Sequence, residues 1–161
     1  MTDRKLSILK RWHHSLLTLN RGHFIAAARC ERLNLRLGIP VTILSAVAGT
    51  TVFASLAISP TVWAKILVGL LSLAAAVLAS LQTFLKYDEK AQVHKEAGQR
   101  FGILRREVEA AFACYGDSDA QLSPEFFTSI GQRWDECSKE FPPLPQKIHD
   151  QAYEASASAL D

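Results

Sequence analysis

The residue types able to do chemistry are few and scattered. No serine, cysteine or threonine stands in a recognisable pattern with a base, no two carboxylates have acid/base spacing, and no Gly-rich phosphate loop occurs. Enzymatic activity is therefore not expected. Cys30, Cys114 and Cys137 lack CxxC spacing and read as reduced thiols. His94, together with His13 and Glu31, could form a buried polar cluster if the helices carrying them pack. Single histidines from separate helices usually satisfy structural hydrogen bonds, and the adjacent His13 and His14 point to different faces. No metal site and no cofactor are expected. Arg100, Arg105 and Arg106 could hold the phosphates of a cyclic nucleotide or anionic lipid headgroups. Glu107 and Glu109 lie beside them, so an ordinary ion-paired helix face fits equally well.

The elements that must position these residues are dominated by two uncharged runs. Leu37–Ile58 and Ile66–Leu85 contain no Asp, Glu, Lys, Arg or His. Each is about the ~20 residues that cross a hydrocarbon layer as a helix. The 48% hydrophobic content of the 161-residue chain is concentrated there. Net charge is +2, too small to suggest a nucleic-acid partner. Lys and Arg flank the two runs, and only Lys65 lies between them. The positive-inside rule then places both termini in the cytoplasm and the connection outside. The first apolar run begins too far from Met1 to read as a secretory leader.

The expected fold is an all-α membrane protein: a two-helix transmembrane hairpin with long cytoplasmic helical extensions that form a bundle. Residues 1–36 read as an amphipathic cytoplasmic helix, with Leu6, Leu9, Leu16, Leu17, Phe24, Ala27 and Leu35 in one stripe. Residues 37–58 form the first span, with Gly38 and Pro40 allowing a kink or helix restart at its entrance. Residues 59–65 form a short external turn in which Ser59 can cap the second span. Residues 66–85 form that span, and 86–115 continue the same helix into the cytoplasm. Short helices and a tail fill 116–161. Gly116–Asp119 reads as a turn, Ser123 and Pro124 as a helix start, and 146–157 as a last helix.

Small and hydroxylated residues mark faces of the spans. Gly69, Ser72, Ala76, Ser80 and Thr83 share one arc of the second span, and Thr42, Ser45 and Gly49 form a shorter set on the first. Such faces let helices approach closely. They fit an oligomer interface or pore lining, and equally the packing of one span on the other. Thr51 and Ser55 lie on another face. On an uninterrupted second helix the same arc continues through His94, Gly98, Phe101, Arg105, Val108 and Phe112, a stripe that could couple cytoplasmic movement to the span. The absence of ionisable groups at depth argues against a pump or coupled transporter.

The order of parts resembles the SLATT family, the two-transmembrane effector domain associated with SMODS nucleotidyltransferases and SLOG sensors in bacterial conflict systems. The residues that carry the likeness are Asn34, Leu37 and Gly38 entering the first span, and Phe84-Leu85-Lys86-Tyr87, Ala91, His94, Ala97, Phe101 and Leu104-Arg105-Arg106-Glu107 after the second. The resemblance implies a stand-alone inner-membrane effector of antiphage immunity. Such a protein would self-assemble on a signal from a nucleotidyltransferase, its cyclic nucleotide product or another sensor, and would permeabilise the membrane in abortive infection. The alternatives are a non-conducting membrane scaffold and a holin-like protein.

Overall fold

The computed structural model describes residues 2–57, 61–117 and 123–157. All regular secondary structure there is helical: α1 (Thr2–Ala57), α2 (Val62–Leu85), α3 (Tyr87–Asp117), α4 (Pro124–Glu140) and α5 (Gln146–Ala157). The chain divides into two compact units. One comprises Met1–Ala28 with Ala91–Asp161, and the other is Arg29–Lys90.

In the first unit the early part of α1 packs with α3, α4 and α5. Its core joins Leu9 and Leu16 of α1, Ala97, Phe101, Leu104 and Val108 of α3, and Ile130, Cys137 and Phe141 from α4 and its end. Trp12 closes one side, packing edge-on against Phe127 and Trp134 at centroid distances of 5.8 and 6.0 Å. The α4 start is as expected: Ser123 is the N-cap, its hydroxyl accepts from the Phe126 N–H at 3.3 Å, and Pro124 opens the helix. Arg133 of α4 forms a two-pronged pair with Glu107 of α3. After Pro142, Pro143 and Pro145, α5 folds back with Ile148, Ala152 and Ser156 buried. Gly116 and Asp117, expected in a turn, are the last residues of α3.

The second unit is a helical hairpin. A short connection joins Ala57 to Val62, and the far end of α2 returns to the entrance of the apolar part of α1. There the Gln82 amide donates to Asn34 Oδ1 at 3.4 Å. Helix α1 is unbroken through Gly38 and Pro40. A proline removes one N–H from the ladder, and Thr42 Oγ1 donates to the Gly38 carbonyl at 3.0 Å in the same turn. Thr61, in extended conformation, precedes α2, so Val62, Trp63 and Lys65 are helical and not part of a turn. Ser59 and Pro60, expected to cap that helix, lie outside the described residues.

The unbroken helix expected over 66–115 does not exist. Lys86 has φ 48° and ψ 44°, ends α2 in the left-handed region and separates it from α3. Asp88 and Glu89 then occupy the first turn of α3, where the helix dipole favours acids. This conformation costs a non-glycine residue about 1–2 kcal/mol. Lys86→Gly is expected to stabilise by up to ~1 kcal/mol and Lys86→Ile to destabilise by a similar amount. Thermal melts of the detergent-solubilised full chain measure both.

α1 and α2 are each long and apolar enough to cross a membrane, and their apolar windows are 0% and 6% buried within the chain. Neither window is the buried core of this chain. The hairpin exposes Ile39, Ile43, Val47, Ile66, Leu67, Leu70, Val77, Leu81 and Phe84, together with Trp63, which is 80% exposed near the start of α2. An apolar surface this continuous calls for cover by lipid or protein.

A three-sided hairpin as the candidate functional site

The contact between α1 and α2 is read from burial. On α1 the covered positions are Leu37, Val41, Leu44, Ala48 and Thr51, with Gly38 beside the first. On α2 they are Val68, Leu71, Ala75, Leu78, Gln82 and Leu85, with Ala79 beside Leu78. Apart from Gly38 and Ala79, both sets repeat at alternating steps of three and four residues, the spacing of a knobs-into-holes seam. Ala75 is the most enclosed, at 7% exposed. A small side chain at this centre lets the two backbones approach.

The small-residue faces are elsewhere. Thr42, Ser45, Gly49, Gly69, Ser72, Ala76, Ser80 and Thr83 are all exposed. A Cβ placed on Gly49 or Gly69 would meet nothing within 4 Å. The small faces therefore do not pack the two helices of one hairpin together. At about 100° per residue, the small set of each helix is turned roughly 110–130° from its seam. The turn has the same sign on both helices. In an antiparallel pair, equal rotations away from the shared contact lead to the same broad side. Thr42, Ser45 and Gly49 thus share a side with Gly69, Ser72, Ala76, Ser80 and Thr83. The opposite side carries Ile39, Ile43 and Val47 of α1 and Leu70, Val77, Leu81 and Phe84 of α2. The hairpin accordingly has a seam, a side of small residues and a side of bulky ones.

Three of the five hydroxyls on the small side are bonded within their own helices. Thr42, Ser80 and Thr83 donate to the carbonyls of Gly38, Ala76 and Ala79, each four residues back. Thr51, on the seam, does the same toward Val47 and Ala48. Back-bonding hides the donor and leaves a smooth, close-approach surface. The Ser55 side chain lies outside the described residues.

The stripe expected to continue down from α2 belongs to the first unit's interior. Gly98, Phe101 and Val108 are buried, and His94, Arg105 and Phe112 are partly buried. They face α1, where the Asn20 amide donates to the Gly98 carbonyl at 2.6 Å. A Cβ on Gly98 would come within 3.1 Å of the Phe24 ring. Gly98→Val is expected to cost about 1–3 kcal/mol by overpacking. Gly131→Ala, whose added carbon would sit 3.9 Å from Trp12, is expected to gain up to ~1 kcal/mol. Urea midpoints of the full chain distinguish the two.

The arginines do not converge. Arg100 pairs with Glu96 and Glu140 and lies over the Phe141 ring. Arg105 is near Glu109 at 3.5 Å, and Arg106 is exposed. Their positions on α3 set the three about 100–140° apart around the helix, which rules out one shared phosphate cradle.

The histidine cluster also differs from expectation. His13 bonds Glu109 at 2.9 Å. His94 meets His23, with the two Nδ1 atoms 3.0 Å apart, one donating to the other's lone pair. His23 is 3% exposed and stacks on Phe101 at 5.4 Å. Burial and the neighbouring His94 push His23 down to about 4, and burial also lowers His94. His23 lines a cleft of about 330 Å³ with Leu19, Phe141, Leu144 and His149. Its position one helical step after Leu16 and Asn20 was the available signal. Glu31 belongs to the other unit. Among the described residues no group of three or more metal-ligating side chains occurs.

Comparison with protein-family models, characterised proteins and solved structures returned no match for this chain.

Proposed function

We propose that the protein is a bacterial inner-membrane effector of antiphage immunity. The hairpin spans the membrane with both termini in the cytoplasm, associates with further copies through its small-residue side, and permeabilises the bilayer on a signal from a sensor or nucleotide. The observation that carries this reading is the open small side. Two helices already satisfied by their own seam still present a second surface suited to close helix contact, back to back with a bulky side suited to lipid. No ionisable group lies on either apolar helix between Arg36 and Lys65 or between Lys65 and Lys86, which fits weak selectivity more than coupled transport.

One observation favours a second reading, a non-conducting scaffold. The small-side hydroxyls of Thr42, Ser80 and Thr83 are bonded to their own backbones, which gives a dry helix contact no need of water. Both readings need self-association, and membrane potential separates them. Induced expression together with the activating sensor system, followed with a potential-sensitive dye, is expected to depolarise cells. Unchanged potential with intact oligomers would favour the scaffold.

A further inference from the structure

The base of the bulky side carries an unpaired basic stripe. Arg29, Arg32 and Arg36 are exposed on α1. At about 100° per residue they fall on the same side as Ile39, Ile43 and Val47, directly below them in the chain. Among the described residues none of the three guanidinium groups has an acidic partner within 4 Å, whereas the nearby Lys86 is paired with Glu89 at 3.0 Å. Glu31 is the only acid between Asp3 and Asp88, and helical spacing places it well away from this stripe, toward the small side. The stripe is about 10 Å long, beginning one residue before the uncharged run. A headgroup layer is roughly 5–8 Å deep, which takes in Arg36 and Arg32 and leaves Arg29 at its outer edge.

We infer that Arg29, Arg32 and Arg36 form a binding site for the phosphate of anionic phospholipids in the leaflet beside the bulky side. The inference rests on the hairpin being inserted. Guanidinium groups bind phosphate oxygens by forked, charge-assisted hydrogen bonds. Here the acyl chains of the same lipid would run up over Ile39, Ile43 and Val47. One lipid then engages both the charged and the apolar parts of one face, which a soluble phosphate cannot do. The lipid also occupies the side opposite the small residues, so binding leaves self-association unobstructed.

The test uses the full chain purified in mild non-ionic detergent and titrated with phosphatidylglycerol or phosphatidylcholine, bound lipids being counted by native mass spectrometry. Wild type is expected to prefer phosphatidylglycerol at least tenfold, from several basic side chains acting near one headgroup plane. The R29Q/R32Q/R36Q variant is expected to lose most of that preference, and R4Q/K10Q/R11Q, which removes the same charge elsewhere on α1, to keep it. Equal loss in both variants, or none in the first, overturns the proposal. Displacement of the lipid by millimolar glycerol phosphate also overturns it, because the site would then recognise free phosphate. Carbonate extraction of native membranes runs alongside. Protein that resists extraction while R29Q/R32Q/R36Q keeps the preference overturns the lipid site alone. Protein stripped by carbonate overturns insertion and the lipid site together.

Discussion

Ala76→Leu is expected to abolish self-association and membrane permeabilisation while leaving the chain folded, whereas Ala75→Leu one position earlier is expected to damage the hairpin itself. The two alanines differ by one step on α2 and by their surroundings. Ala75 is 7% exposed at the centre of the seam with α1. Three added heavy atoms there must displace the side chains that enclose it, at about 1–3 kcal/mol. Ala76 is exposed, between Ser72 and Ser80 on the small side. A leucine there projects from the exposed side and holds a second helix away, and close approach is what makes a small-residue contact favourable in lipid. Energy transfer between labelled copies in vesicles should fall at least tenfold for Ala76→Leu, with helicity unchanged. Equal association by Ala76→Leu and wild type would contradict the assignment of that side.

Acidification is expected to loosen the first unit through His23. The sign follows from the lowered value. Above pH 6.5 the ring is neutral in both folded and unfolded chains, so folding does not depend on it. Between 6.5 and about 4 the unfolded ring takes up a proton that the folded site resists, so stability falls as pH falls. At pH 5 the loss is of order 2 kcal/mol, about 8 °C or more in Tm for a unit of this size. His94 is lowered as well and adds in the same direction. Tm of the full chain should therefore be flat from pH 8 to 7 and drop by pH 5. His23→Gln should lower Tm at neutral pH and flatten the slope. An unchanged slope in that variant would contradict the role given to the His23–His94 pair.

The all-helical class, the two apolar helices and the starts of α4 and α5 were legible because their signals are local. Charge-free runs, Ser123-Pro124 and the Pro142–Pro145 break need no knowledge of tertiary contacts. The seam was not legible in the same way. In a helix apolar on every side, periodicity has no polar face to contrast with, so Leu37, Val41, Leu44 and Ala48 do not stand out from Ile39, Ile43 and Val47. Small residues stand out as packing positions, yet Thr42, Ser45, Gly49, Gly69, Ser72, Ala76, Ser80 and Thr83 all lie outside the seam. Lys86 was missed because a left-handed lysine has no composition signal. Tyr87, Asp88 and Glu89 after it are compatible with a helix that continues and with one that restarts. His23 is masked by the more apolar Phe24 beside it, although its spacing from Leu16 and Asn20 marks the same face.

The central claim is that the small side of the hairpin meets a second copy within the membrane. Single cysteines at Gly49, Ser72, Val47 and Leu70, each in a chain with Cys30, Cys114 and Cys137 replaced by alanine, can be oxidised in native membranes. The account predicts disulfide-linked dimers from Gly49→Cys and Ser72→Cys, and monomers from Val47→Cys and Leu70→Cys. Dimers from the bulky-side pair, or from neither pair, would contradict it.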